Sequence, residues 1–168
     1  ARSAGEAMAG FAEYADHDGL GLAELVRRRE TTPRELFEAA MAALERLQPT
    51  INPIVCTLEG EAERALRETA PGGKLADAPF AGVPFLAKDL VISYAGLPTH
   101  CGSRLTQGWT RPFDSELVAR FRRAGLVTIA KTTTPELGLC ASTESVLHGA
   151  TRNPWHPGRA AGGSSGGS

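Results

Sequence analysis

A lysine at the end of an apolar segment is the first residue of this sequence that could do chemistry. Lys88 follows Gly-Val-Pro-Phe-Leu-Ala at residues 82–87. A buried strand of this kind would draw the lysine stem out of water, and an amine away from water favours its neutral form, which can accept a proton. Lys88 is therefore a candidate general base. The alternative is a structural lysine whose amine reaches water or pairs with Asp89.

The second feature is the glycine- and serine-rich stretch at residues 161–168, Ala-Gly-Gly-Ser-Ser-Gly-Gly-Ser. Its composition alone is typical of a flexible linker. However, Trp155 and two prolines within residues 149–159 indicate an ordered turn just before it. In an ordered loop, glycines allow close backbone approach, so that N–H groups and hydroxyls can face a substrate carbonyl or a neighbouring side chain. A phosphate-binding loop is disfavoured because it would require a lysine after the last glycine.

Taken in this order, the two features resemble the amidase signature family. The resemblance covers residues 20–168 and is most specific at three motifs: GVPFLAKD (82–89), TRNPW (151–155) and GGSSGGS (162–168). It continues through KTTTPELG at residues 131–138 and STE at residues 142–144. Residues 79–82 and 149–155 are most similar to a branch that includes a cyclic-dimer amide hydrolase.

The resemblance implies roles for individual residues. Lys88 matches the catalytic lysine, and Ser164 matches the serine that links this lysine to the nucleophile through a cis peptide bond. The other residues with an implied supporting or substrate-binding role are Ser165, Gly162, Gly163, Gly138, Leu139 and Cys140. For Gly138, Leu139 and Cys140, a role in packing is an equally good explanation. The family's nucleophilic serine lies in a second glycine-rich motif, which we expect beyond Ser168. The chain alone is therefore expected not to hydrolyse amides.

The implied function is a cytoplasmic amidase that hydrolyses a small carboxamide, or a linear or cyclic amide, through a Ser–cisSer–Lys triad and an acyl-enzyme. The resemblance implies no cofactor, and a homodimer is one assembly that we consider. One alternative is the glutaminase-type subunit of a tRNA-dependent amidotransferase, which would need partner subunits. A second alternative, from another class, is a binding module or a catalytically incomplete fragment.

The sequence offers weaker support for a cysteine nucleophile or a metal site than for the lysine and serine. Cys140 has His148 eight residues on but no third orienting group in view. No metal site is expected, because the four histidines are scattered and lack helical spacing: His17, His100, His148 and His156. The three cysteines form no Cys-x-x-Cys pair, which is typical of reduced thiols in a cytoplasmic protein.

Composition and charge exclude several function classes. Eighteen Lys and Arg against nineteen Asp and Glu give a formal net charge of -1, so there is no basic field for nucleic acid or an anionic membrane. The hydrophobic fraction of 42% is typical of soluble globular proteins. Apolar runs fall short of a membrane-spanning helix, and residues 1–19 lack the apolar core of a secretory signal.

The candidate residues need a scaffold, and the pattern of the sequence predicts an α/β one. Helical spacing predicts helices over residues 20–30, 33–47, 59–69 and 115–123, and short apolar runs predict strands over residues 51–58, 82–86 and 126–130. The resemblance implies an amidase-signature fold, a mixed β-sheet core covered by helices. We expect residues 20–168 to be the N-terminal part of one domain that continues beyond the chain. Residues 1–19 would be an extension, with residues 1–7 a cloning remnant and Met8 the natural start.

Overall fold

The computed structural model describes residue 11 and residues 13–168, so the expectations about residues 1–7 and Met8 lie outside the described residues. The main elements are α1 (Gly19–Arg27), α2 (Pro33–Ile51), β1 (Ile54–Thr57), α3 (Glu59–Thr69), β2 (Pro84–Lys88), α4 (Glu116–Arg123) and β3 (Val127–Thr132). Four short strands follow: β4 (Glu144–Ser145), β5 (Gly149–Ala150), β6 (Arg152–Asn153) and β7 (His156–Ala160). No helix of the described part is long and apolar enough to cross a membrane.

The central sheet has the strand order β1-β3-β2. Strand β3 pairs antiparallel with β1 and parallel with β2, and helix α4 lies between the two parallel strands in the sequence. All six residues of β3 are buried, as expected for a strand with a neighbour on each edge and helices against it. The predicted α/β architecture with a mixed sheet is confirmed.

Helix α2 begins where the sequence predicts and ends later. Thr32 Oγ1 accepts a hydrogen bond from the Glu35 backbone, and Glu35 accepts one from the Thr32 backbone over 2.8 Å, which completes a capping box. The helix then runs through Pro49 to Ile51, and Asn52 ends it with a left-handed φ of 49°. The predicted strand therefore starts only at Ile54. The Gln48 side chain makes this late turn possible, because it bonds to both the N–H and the carbonyl of Ile54.

The parallel strands both end two residues later than predicted. Strand β2 starts at Pro84 because Gly82 has a φ of 81° and belongs to the preceding turn. Strand β3 extends through Lys131, a charged residue that would normally mark the end of a buried strand. This shift places Lys88 inside β2, opposite Thr132 of β3.

The remaining helices follow the prediction with small differences. Helix α3 has the predicted bounds, and Ser115 caps α4 by accepting a hydrogen bond from the Val118 N–H. Leu117, whose spacing in the sequence predicts an inward position, is 45% exposed, whereas Val118 is fully buried. Helix α1 ends at Arg27 instead of residue 30, because Arg29 adopts a left-handed φ of 61°.

The core lies between β3 and the helices α2 and α3. Small residues on α3 allow the helix to approach the sheet closely, and the cluster comprises Ala40, Ile54, Ala62, Ala65, Leu66, Val127, Ile129 and Ala130. A second cluster (Leu58, Ala87, Tyr94 and Val118) lies beside β2. These clusters fix the ends of β2 and β3, where the candidate residues lie.

Candidate functional site

Lys88 is in direct contact with both serines of the glycine-rich loop. It is the last residue of β2 and is half-buried. Its Nζ donates a hydrogen bond to Ser164 Oγ over 2.7 Å and a second one to Ser165 Oγ over 3.1 Å. The peptide bond between Gly163 and Ser164 is cis, as the resemblance implies. The fold thus brings together residues that are far apart in the sequence.

Two threonines, one shortly after β3 and one directly before β4, hold this loop in place. Thr134 Oγ1 donates to the Ser164 carbonyl over 3.1 Å, and Thr143 Oγ1 donates to the Gly162 carbonyl over 2.9 Å. Both threonines are buried. The loop is therefore packed against the sheet rather than solvated like a linker. The sequence gives no sign of these two roles, because a hydroxyl in an irregular segment produces no periodic signal.

Two glycines of the loop are required by close backbone approach. A Cβ at Gly163 would lie 2.6 Å from the Cys140 carbonyl oxygen, and a Cβ at Gly167 would overlap the Pro53 carbonyl. Real Cβ atoms do not approach carbonyl oxygens this closely, so only glycine fits without a shift of the chain. The glycine composition thus reflects tight packing as well as flexibility.

A buried ion pair involves Asp89, the residue that follows Lys88. Lys131 Nζ is 3.3 Å from Asp89 Oδ1, and both side chains are fully buried. The same amine donates to the Pro98 carbonyl over 2.7 Å and to Thr99 Oγ1 over 2.8 Å. The structural alternative in which Lys88 pairs with Asp89 is therefore wrong, since Lys131 occupies that position. Spacing in the sequence could not reveal this pair, because Lys131 lies on β3 and Asp89 directly follows β2, 42 residues away.

Two histidines meet at the other side of the Asp89 carboxylate. His100 Nδ1 lies 3.6 Å from Asp89 Oδ2, and the His100 backbone N–H donates to the same oxygen over 3.0 Å. The His100 and His148 rings are 5.6 Å apart, edge to face. Burial lowers the pKa of His148, and the neighbouring His100 lowers it further. Two of the four histidines that look scattered in the sequence, His100 and His148, thus form one group with Asp89.

The segment with Gly138, Leu139 and Cys140, which has an implied supporting or substrate-binding role, adjoins the glycine-rich loop. Gly138 ends a short 3-10 turn that begins at Glu136, and Ser142 forms a β-bridge with Gly162. Leu139 is 81% exposed, and Cys140 is also exposed. The ring of His148, the histidine nearest to Cys140 in the sequence, packs against the ring of His100.

An apolar cavity of about 280 Å³ lies between α2, β2 and the end of the loop. Its wall includes Leu44, Leu47, Phe85 and Leu86, together with residues 166–168. Neither Lys88 nor Ser164 lines it. The cavity is therefore separate from the lysine–serine contact.

Comparison with known proteins gives consistent matches. The family model described as Amidase matches residues 35–168. The 6-aminohexanoate-cyclic-dimer hydrolase of Paenarthrobacter ureafaciens is 44% identical over 153 residues, which are 90% of this chain and 30% of that protein. The glutamyl-tRNA(Gln) amidotransferase A subunit of Acidothermus cellulolyticus is 37% identical over 151 residues, which are 88% of this chain and 29% of the relative.

Solved structures give the same result. A structure of 6-aminohexanoate cyclic dimer hydrolase complexed with substrate superposes with a TM-score of 0.82 at 41% identity, over 90% of this chain and 30% of that one. Fatty acid amide hydrolase, at 19% identity and a TM-score of 0.83, shares the fold over 93% of this chain and 28% of its own. The chain thus spans about 30% of the length of these curated relatives.

Proposed function

The chain belongs to the amidase family, and from this premise we propose that it supplies the proton-relay part of a hydrolase that cleaves carbon–nitrogen bonds of amides. The observation that carries the proposal is the 2.7 Å contact between Lys88 Nζ and Ser164 Oγ. A hydroxyl at this distance from an amine can exchange its proton with it directly.

In the proposed mechanism, a neutral Lys88 accepts the proton of Ser164. Ser164 in turn accepts the proton of a nucleophilic serine as that serine attacks the amide carbonyl. The C–N bond then breaks, the amine or ammonia leaves with a proton returned through the same two residues, and an acyl-enzyme remains. Water, deprotonated by the same relay, releases the acid. The mechanism needs no cofactor.

The nucleophile is proposed to lie beyond Ser168, in sequence that would follow this chain. Ser168 is a poor substitute, because its backbone N–H bonds to the Ser165 carbonyl in a tight turn and its side chain makes no contact with Lys88 in the hydrogen-bond network of the described residues. The supporting roles of Gly162, Gly163 and Ser165 are to keep Ser164 at the lysine. Gly138, Leu139 and Cys140 are proposed to face the acyl group of the substrate.

The proposed substrate is a small linear or cyclic amide. The 44% identity to a 6-aminohexanoate-cyclic-dimer hydrolase favours a cyclic or oligomeric aminoacyl amide over glutamine, whose amidotransferase relative is 37% identical. A cytoplasmic location and a homodimer belong to the same proposal.

The test is amide hydrolysis by the protein that carries this chain together with the segment holding the proposed nucleophile. The substrates are 6-aminohexanoate cyclic dimer, simple carboxamides and glutamine. We expect hydrolysis of an amide other than glutamine, and no turnover by the 168-residue chain alone. Turnover of glutamine alone, and only with co-purified partner subunits, would favour the amidotransferase alternative. Turnover by residues 1–168 that Ser168→Ala abolishes would overturn the placement of the nucleophile.

A further inference from the structure

Asp89, His100 and His148 form a group of ligand-type side chains outside the proposed proton relay. They come from three separate segments: the end of β2, the loop that follows it, and the turn between β4 and β5. One ligand atom from each residue lies within 4.8 Å of the ligand atoms of the other two. A carboxylate and two imidazoles thus converge on one small region.

Each imidazole has a buried nitrogen that finds no hydrogen-bond partner among the residues that the structure describes. These atoms are His100 Nδ1 and His148 Nε2, and both are inaccessible to solvent. An unpaired polar atom in the interior loses its hydrogen bonds to water without replacement, so native structures rarely keep two such atoms in one group. One ligand that could satisfy both nitrogens at once is a cation that accepts their lone pairs.

We propose that Asp89, His100 and His148 bind one divalent transition-metal ion of the zinc class. Imidazole nitrogens favour zinc and its neighbours over magnesium and calcium, which prefer oxygen ligands. Two ligands at about 2.1 Å from a tetrahedral ion are about 3.4 Å apart. The distance from His100 Nδ1 to Asp89 Oδ2, 3.6 Å, is close to this spacing. The three ligand atoms lie within 4.8 Å of one another, so binding of the ion would draw the His148 ring closer to the other two.

The buried Lys131 leaves room for the ion on the carboxylate. Its amine contacts Asp89 Oδ1, whereas Oδ2 faces His100. The Pro98 carbonyl and Thr99 Oγ1 also hold the amine. A carboxylate has about four acceptor positions, so the two oxygens can serve the ammonium and the metal separately. The ion would fasten the loop after β2 and the β4–β5 turn to the strand end that carries Lys88.

The experiment uses the chelator-treated protein and zinc chloride or cobalt chloride alone. Isothermal titration should give one Zn²⁺ per chain, and Co²⁺ should produce visible absorption bands. His148→Phe keeps the ring volume but removes the nitrogens, and it should weaken binding by more than about tenfold, the loss expected at a metal site. His156→Phe is the control, because His156 is exposed and outside the group, and it should bind as the wild type does. Zn²⁺ should raise the thermal midpoint of the wild type and of the control but not of His148→Phe.

X-ray absorption at the zinc edge of the wild type counts the coordinated imidazoles without any variant. A count of two is expected. No uptake by the wild type, a count of zero, or equal affinity in His148→Phe and His156→Phe would overturn the proposal. None of these outcomes bears on amide hydrolysis, so the metal site and the proposed function can fail independently.

Discussion

Lys88 Nζ and Ser164 Oγ lie 2.7 Å apart although strand β2 carries one and a loop near the end of the chain carries the other. The contact depends on β3. Its residue Thr132 pairs with Lys88, and Thr134, just beyond the strand, holds the Ser164 carbonyl. Because β3 is buried along its whole length, the two partners are fixed to one rigid element.

Removing the buried amine of Lys131 should destabilise the fold. In Lys131→Met the Asp89 carboxylate stays fully buried without its ionic partner. Breaking a buried ion pair in this way costs about 3–5 kcal/mol. Urea unfolding measures the loss. Lys74→Met is the matched control: it removes an ion pair with Glu68 in which the lysine is 70% exposed, and little change is expected. Equal stability of the two variants would show that the Asp89–Lys131 pair is not important for the fold.

The ion pairs between α3 and α4 should make the stability of the fold decrease at acid pH. Burial raises the pKa of Glu61, but hydrogen bonds from Arg122 and Arg64 outweigh it, so the pKa of Glu61 is lowered overall. A carboxyl with a lowered pKa in the folded state stabilises the fold above its unfolded pKa of about 4.3 and loses this contribution as the pH falls through the folded value.

Glu61→Gln should therefore cost about 1–3 kcal/mol of unfolding free energy at pH 7, through the lost charged hydrogen bonds. The difference between variant and wild type should shrink as the pH falls below about 4. Unfolding by urea at a series of pH values checks both parts. Glu116→Gln, at an exposed position of α4, should change the stability little. A difference for Glu61→Gln that stays constant down to about pH 2 would contradict the expectation.

The tightly packed glycine-rich loop should not tolerate a methyl group. Gly167→Ala would push the side chain into the Pro53 carbonyl and Thr132, so the loop must move away from the sheet. We expect a lower thermal midpoint and faster proteolysis within residues 161–168. Gly60→Ala in helix α3 is the control, because, apart from its neighbours along the chain, no atom of the described residues lies within 4 Å of a Cβ at Gly60. Alanine also favours the helix by about 0.5–1 kcal/mol. A Gly167→Ala protein as stable as the wild type would indicate that the loop is loosely held.

The three free thiols should differ in reactivity. Cys140 is exposed and Cys101 is buried. Burial raises the pKa of Cys56, and the nearby Asp89 raises it further, which reduces its thiolate fraction. Iodoacetamide labelling followed by mass spectrometry should modify Cys140 first, and Cys140→Ser should remove the fast phase. Equal labelling rates for Cys101 and Cys140 would contradict the burial of Cys101.

Local patterns predict the helices well and the strand ends less well. The capping box at Thr32 and the serine cap at Ser115 are local signals, so both helix starts agree with the structure. The pattern ends β3 too early because Lys131 looks like a residue that faces water. Its burial depends on Asp89, a partner just beyond the end of β2 that no local pattern reveals.

The residues of the candidate site also differ in how far the sequence predicts them. The order of the motifs, through the family resemblance, predicts the proton relay at Lys88 and Ser164. The anchoring threonines and the His100–His148 contact arise from packing between segments far apart in the sequence. Without an alternation or a fixed spacing to read, such contacts become visible only in the folded chain.

In the proposed relay Lys88 accepts the proton of Ser164, and kcat/KM for amide hydrolysis by the protein that carries this chain and the proposed nucleophile reports on this step. Lys88→Met, which keeps the length of the stem, should lower kcat/KM by about 10²–10⁴-fold, the usual contribution of a general base. Lys74→Met, at an exposed lysine, should leave it unchanged. A Lys88→Met protein that folds normally and retains kcat/KM within a few-fold of the wild type would show that Lys88 is not the proton acceptor.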